Sequence, residues 1–525
     1  MSEKTKGRTA KSLINAGVSC SSYLVLMVST FVTRAIFKRV LGLDYSGVET
    51  VFLNIITMLS IVELGIGSGI VYKLYKPIAD NDYRKIAVLI NFYKKAYKII
   101  AVILGLLGVI MAFFAPYFIE PKEENFSYFW LVLVFILYII DTLASYLYAH
   151  KRAMFTADQR NFVTVIVHTC CQIAVGIFQI VMLLVLEGFV GKMAAFIIYL
   201  IIRIIGRVTE SCTISARYNK RYGKNIDLKI KDKLPEDEQR DLMKNIKALL
   251  MHKIAGQSLN STASIIVSTF VNTTVAGIYG NYVLITNALK MLSDYFFNGI
   301  TASFGNLISS STGEKVIDNF KKIYMLNFFL SSFFAVSFFN VAQPFVSLWI
   351  GTDGLLDIST VLLISTYLYM MTMRQSVFMA RSSAGQYTQD RWFAISEAVI
   401  NLALALALVH FFGINGVIAA NILSLLCIPF WTQPSIVYHD VFHISVLKYY
   451  KSYAIYFLLT VIYAGVIYAL RAVCMSDNGF VNLVVSVALC VIIPNAVNIL
   501  IFRKTDEFKS LKNTASELLG RFKRK

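Results

Sequence analysis

The chain has 525 residues, 57% of them in the AVILMFWYC set and only 15% charged, against about 25% charged in an ordinary soluble domain. That balance excludes a soluble fold. The formal charge of +19 would point to nucleic acid in a soluble protein, but here it sits in short blocks between long apolar runs, as in the loops of a polytopic membrane protein.

A helix needs about 20 apolar residues to cross a hydrocarbon core of about 30 Å. Fourteen such runs lie near 13–33, 47–72, 96–118, 127–149, 161–186, 190–211, 248–272, 279–308, 323–343, 358–380, 392–412, 414–437, 453–470 and 480–502. Unsatisfied backbone is intolerable in lipid and the runs are too long for barrel strands, so an all-α membrane protein of about 14 transmembrane helices is expected. The first run is longer than a signal-peptide core and no small-residue cleavage site follows it, so it reads as the first span. With the N-terminus cytoplasmic, the loops on that side carry 41 of the 50 Lys and Arg residues and the outer loops six. The rule that positive charge stays inside therefore places both termini in the cytoplasm, and the basic tail RFKRK reads as contact with anionic inner-leaflet lipid. No nucleic-acid partner is expected. The seven Cys are scattered, with no CxxC and no Cys/His cluster, so neither a disulfide framework nor a metal site is indicated.

The chain also resembles itself. VSTFV at 28–32 recurs at 267–271, MLS at 58–60 recurs at 291–293, and Pro116 has a counterpart in Pro344. DQRNF before the fifth run resembles QDRWF before the eleventh, and GFVGKMAA at 188–195 matches GINGVIAA at 413–420. The collinear series implies a duplication: a six-helix lobe over 1–211, a cytoplasmic linker over 212–246, a second six-helix lobe over 247–440, and two additional helices with a basic tail over 441–525. Six is even, so the lobes share one orientation as parallel repeats, an arrangement that suits a midplane site and rocking alternating access.

Charges within the runs are the candidate functional groups, because each is costly in lipid. They are Glu63, Asp141, Arg203, Lys290, Asp294, Arg374 and Glu397, with Arg34 and Lys38 at the outer end of the first run. Arg34 and Lys38 share a helix face, and two like charges there either snorkel to the headgroups or hold an anion between them. Lys290 and Asp294 stand one turn apart and either neutralise each other or serve a substrate. Glu63 precedes Gly65, Gly67 and Gly69, a spacing that points to local unwinding or to close helix packing. Glu397 with Asn401 one turn on fits a proton or Na⁺ site, or a bond to a neighbouring helix. His168, alone in the fifth run, is expected to satisfy a neighbouring polar group rather than relay protons. No P-loop, hydrolase nucleophile motif, HExxH or dinucleotide glycine pattern is present.

Fourteen runs, duplicated halves, two trailing helices and the segment EAVINLALALALVHFFGINGVIAANILS together resemble a Wzx-like polysaccharide flippase of the multidrug/oligosaccharidyl-lipid/polysaccharide exporter superfamily. That resemblance implies a transporter and not an enzyme, placed in a bacterial plasma membrane, that flips an undecaprenyl-pyrophosphate-linked oligosaccharide for O-antigen, capsule or exopolysaccharide biosynthesis. It implies binding of the pyrophosphate by Arg34, Lys38 and Lys290, with Arg203 and Arg374 in the second rank. It also implies coupling through Glu63, Asp294 or Glu397 to Na⁺ or H⁺, with no cofactor. Membrane lipids and the polysaccharide polymerase machinery are the implied partners. A drug or organic-cation antiporter and a lipid II flippase on the same scaffold are the alternatives; a glycan polymerase is disfavoured by the short external loops.

Overall fold

The structure, a computed structural model, describes residues 3–60, 66–119, 126–228, 230, 232, 234–240, 261–384, 391–474 and 476–523. The described residues are helical with no strand, and they divide into two compact units, Met1–Gly277 and Ile278–Lys525.

The first unit opens with α1 (Glu3–Leu41), which turns into α2 (Leu43–Leu59) through Gly42. Gly42 has φ 104°, a left-handed conformation that side chains oppose, which is why a single residue can turn the chain between two long helices. After α3 (Ile66–Asp80), Asp82 accepts a hydrogen bond from the Lys85 amide at 2.9 Å and caps α4 (Tyr83–Phe114). Pro116 in the following 3-10 turn ends that helix. The fourth expected span is α5 (Tyr128–Tyr146), set off by a turn at 147–148 from the nine-residue α6 (Ala149–Ala157). Then come α7 (Asn161–Leu186), α8 (Lys192–Tyr222) and the short apolar α9 (Ser261–Phe270). α1 and α7 run side by side: Asn15 Nδ2 donates to the Gln159 carbonyl at 3.0 Å, and further along a Cβ at Gly176 would touch Ser29 and Thr33. At Gly47 of α2, a Cβ would run into the Thr273 backbone, so only glycine lets these segments meet.

α10 (Thr273–Ser310) leads into the second unit, followed by α11 (Gly313–Ile350), α12 (Ile358–Met373), α13 (Gln375–Ser383), α14 (Arg391–Phe412) and α15 (Ile414–Cys427). Pro429 and Pro434 break the last of these into α16 (Pro429–Ser435) and a π-turn at Ile436–Val441. The trailing helices α17 (Leu447–Val473), α18 (Gly479–Phe502) and α19 (Asp506–Lys523) pack against α11. Their joint core is aromatic: Phe328 stacks on Tyr456 with centroids 4.2 Å apart, beside Tyr324, Tyr449 and Phe502.

Among the described residues nine helices are long and apolar enough to cross a membrane. Of the other five expected spans, three differ where polarity concentrates and two are described only in part. The second is described as α2 and α3, on either side of residues 61–65, and the tenth is broken into α12 and α13 at Arg374. α8 carries Lys192, Arg203, Arg207 and Glu210, α10 carries Lys290 and Asp294, and the seventh is described only from Ser261. Apolar side chains left exposed on the protein, such as Val102, Leu106 and Ile110 of α4 or Leu458 and Val461 of α17, are the lipid-facing surface of a multi-pass membrane protein.

Candidate functional site

In the first unit, Arg34 near the end of α1 forms an ion pair with Glu49 of α2. Its other guanidinium nitrogen donates to Thr50 Oγ1 at 3.0 Å and to the Ser46 carbonyl at 3.3 Å. Both charged side chains are nearly enclosed, at 10% and 7% exposure, so each depends on the other for compensation. Lys38, one turn on, is half-buried.

Deeper in the same unit, Arg203 of α8 donates to Asp141 of α5 at 2.9 Å and lies 5.5 Å from the centre of the Tyr138 ring. Arg207, one turn along, spans two carboxylates, with Asp141 at 3.4 Å and Glu210 at 3.6 Å. Glu210 is fully buried and is met also by Arg152 of α6 at 2.7 Å and His168 of α7 at 3.1 Å. The expectation that His168 serves a neighbouring polar group therefore has a named partner. Glu210 stands at the last position but one of the sixth expected span, where a carboxylate reads as a border residue. Its charge is legible in the sequence and its burial is not.

In the second unit, Lys290 reaches Asp294 at 3.2 Å, and Asp294 also accepts from Gln375 Nε2 at 2.6 Å. The pair is about one-third exposed, unlike the enclosed pair at Arg34. Arg374, at the break between α12 and α13, donates through Nε to Gln433 at 2.7 Å and faces Glu397 of α14 at 3.5 Å. One turn from the buried Glu397, Asn401 donates to Asn421 at 2.7 Å and to Ser424 at 3.2 Å. This joins α12, α14 and α15 by a polar seam inside an otherwise apolar bundle.

Glu63 lies outside the described residues, as does Gly65; Gly67 and Gly69 fall within α3. Four of the five candidate cations thus stand against carboxylates: Arg34 with Glu49, Arg203 with Asp141, Lys290 with Asp294, and Arg374 with Glu397. Of these carboxylates, Glu49 escapes a reading of the sequence because it stands only three residues into the second apolar run, where a charge reads as a border residue. The signal available was its position on the helix next to Arg34. Among the described residues no three His, Cys, Asp or Glu side chains converge as metal ligands would.

Outside the spans, His150 at the start of α6 is buried. Burial, and then the neighbouring Lys151 and Lys94, push its imidazole down to about 4. Lys151 itself donates to Ser215 at 2.6 Å and Asn219 at 3.1 Å, tying α6 to α8.

No protein-family model matches the chain, and no curated protein matches it in sequence. Its fold is that of solved transporters. Lipid II flippase MurJ in an inward closed conformation superposes with TM-score 0.66 at 12% identity, over 92% of this chain and 98% of that one. An inward-facing multidrug resistance MATE family transporter of the MOP superfamily gives 0.60 at 14% identity over 79% and 97%. The Vibrio cholerae MATE transporter VcmN gives 0.55 at 12% identity over 84% and 100%.

Proposed function

We propose that this protein flips an undecaprenyl-pyrophosphate-linked oligosaccharide across a bacterial plasma membrane by alternating access, supplying cell-surface polysaccharide biosynthesis, with both termini in the cytoplasm. The observation that carries the reading is the set of intramembrane cations, each held by a carboxylate: Arg34, Lys290, Arg203 and Arg374. A bare cation in a membrane protein costs several kcal/mol, so a site for an anionic headgroup needs internal counter-charges while it is empty. A pyrophosphate competes for the same guanidinium and ammonium groups, and its oxygens suit the forked donors of arginine. In this reading Arg34, Lys38 and Lys290 take the headgroup, Arg203 and Arg374 support it, and Glu63, Asp294 and Glu397 serve ion coupling.

Lipid II itself is the second reading, favoured by the 92% of this chain that superposes on the lipid II flippase. A cation antiporter is served less well, because the cations here need anions.

The test is translocation by the purified protein in liposomes that carry a fluorescent undecaprenyl-pyrophosphate oligosaccharide or, in parallel, fluorescent lipid II. Substrate reaching the opposite leaflet is followed by its accessibility to an added glycosidase. Protein-dependent acceleration with the oligosaccharide, lost in Arg34→Ala and Lys290→Ala, is the expected result. Acceleration with lipid II alone establishes the second reading. No acceleration with either under imposed H⁺ and Na⁺ gradients overturns both.

A further inference from the structure

The group around Glu210 does more than neutralise a buried carboxylate. Glu210 is 0% exposed, and an ionised carboxylate only accepts hydrogen bonds, so a group hydrogen-bonded to it must donate. Arg152 does so at 2.7 Å, and Arg207, at 3.6 Å, adds a second permanent cation beyond hydrogen-bond reach. His168 meets it through Nδ1 at 3.1 Å, which fixes the Nδ1–H tautomer in the neutral ring and leaves the Nε2 lone pair as the proton acceptor. The imidazole is 39% exposed, so Nε2 does not share the enclosure of Glu210.

The charge count decides when the ring is protonated. Two carboxylates, Asp141 and Glu210, face three guanidiniums, Arg152, Arg203 and Arg207, so the group already carries one excess positive charge with His168 neutral. A proton on His168 adds a second. If Arg152 leaves, two carboxylates face two guanidiniums and Glu210 keeps only Arg207, at 3.6 Å, so an imidazolium at His168 restores the single excess positive charge that the group carries now. Arg152 is the group able to leave. It is 38% exposed and sits on the nine-residue α6, which is separated from α5 by a turn.

Among the described residues, other groups do not supply that charge. From α6, Lys151 is held by Ser215 and Asn219, and His150 is uncharged at neutral pH. From α5 comes Asp141, already shared by Arg203 and Arg207; α7 itself adds Cys170 and Cys171, and α8 adds Cys212. From α1, the pairing of Asn15 with residues 159–162 and of Ser29 with Gly176 brings Cys20 and Tyr23 to the level of His168. Arg34, Lys38 and Arg39 lie beyond Gly176, which is itself eight residues, about 12 Å, further along α7.

We infer that His168 and Glu210 form a proton-binding site inside the first unit, at which a proton on the His168 Nε2 replaces Arg152 as the counter-charge of the buried carboxylate. Movement of α6 and proton uptake are then two sides of one exchange. The site is a property of the protein alone and does not rest on the identity of the transported substrate.

The test reads the imidazole directly, by ring ¹⁵N NMR of the histidine-labelled full-length protein in lipid nanodiscs at one neutral pH. His168→Gln identifies the signal among the six histidines. The expected result is the neutral Nδ1–H tautomer in the wild type, conversion to the imidazolium in Arg152→Gln, and return to the neutral ring in Arg152→Lys, which restores the competing charge. Glu210→Gln in the Arg152→Gln background removes the carboxylate, and the ring reverts to neutral. An unchanged neutral ring in Arg152→Gln, or an imidazolium already present in the wild type, overturns the inference. Because Arg152→Gln and Arg152→Lys alter only a part-exposed side chain, their comparison decides the question even where a Glu210 variant does not accumulate.

Discussion

The guanidinium of Arg471, near the end of α17, donates to the backbone carbonyl of Asn340 in α11. That carbonyl is the one that Pro344, four residues on, leaves without its helical donor, because proline has no N–H. The first trailing helix therefore repairs the break that proline makes in the most buried of the nine candidate spans, and Asn340 Nδ2 adds a bond to the Ala464 carbonyl of the same helix at 3.4 Å.

Removing that donor leaves a buried carbonyl unsatisfied. Arg471→Ala is expected to lower stability by about 1.5–3 kcal/mol, the range for hydrogen bonds to charged groups, and Arg471→Lys by less. Thermal unfolding of the purified variants in detergent checks this. Restoring the helical donor by Pro344→Ala in the Arg471→Ala background should recover much of the loss; no recovery would show that the guanidinium acts elsewhere.

Arg34 and Glu49 should show the asymmetry of an enclosed pair. Either single substitution to Ala leaves its partner uncompensated and should cost about 3–5 kcal/mol, while the double substitution should cost much less. Translocation should behave differently. Losing the guanidinium in the double variant should still reduce flux roughly ten- to hundred-fold, because the stability is restored and the anion ligand is not. Equal flux in the wild type and the double variant removes Arg34 from the substrate site.

Stability should depend on pH through His150. Its imidazole titrates near 4 in the folded protein and at the usual 6.5 when unfolded, so between these values the unfolded chain binds the proton that the folded one refuses. The contribution is fully present above about 6.5 and is lost as the pH falls towards 4, up to about 3 kcal/mol in total. His150→Asn should flatten the melting temperature between pH 7 and pH 4.5 relative to the wild type.

Gly47 marks a close approach of backbone to backbone. Gly47→Ala places a methyl group against the Thr273 backbone and should destabilise by about 1–3 kcal/mol, whereas Gly17→Ala, with open space around it, should be neutral or slightly stabilising. Comparing the accumulation and melting of the two variants separates them.

How much of this was legible in the sequence varies with the scale of the feature. Long apolar runs such as α7 and α18 declare themselves because a single helix must satisfy the bilayer along its whole length. The candidate cations were equally visible, since composition alone makes an intramembrane Arg conspicuous. Their partners were not, apart from Asp294, one turn from Lys290. Glu49 stands 15 residues from Arg34 and Asp141 stands 62 from Arg203, so the pairing depends on which helix faces lie together. Helix breaks were partly legible. The prolines at 429 and 434 announce theirs, but neither the turn at 147–148 nor the one at Arg374 has a proline or glycine to signal it.

The 62 residues between Asp141 and Arg203 also bear on how the protein is made. α5 leaves the ribosome first, carrying a carboxylate that lipid disfavours, and α8 follows with two guanidiniums that lipid disfavours as well. α5 is apolar enough to cross the bilayer despite Asp141, whereas α8 is not one of the nine apolar spans. Because α5 precedes α8 in the chain, the carboxylate that neutralises Arg203 and Arg207 is made before the two guanidiniums that need it.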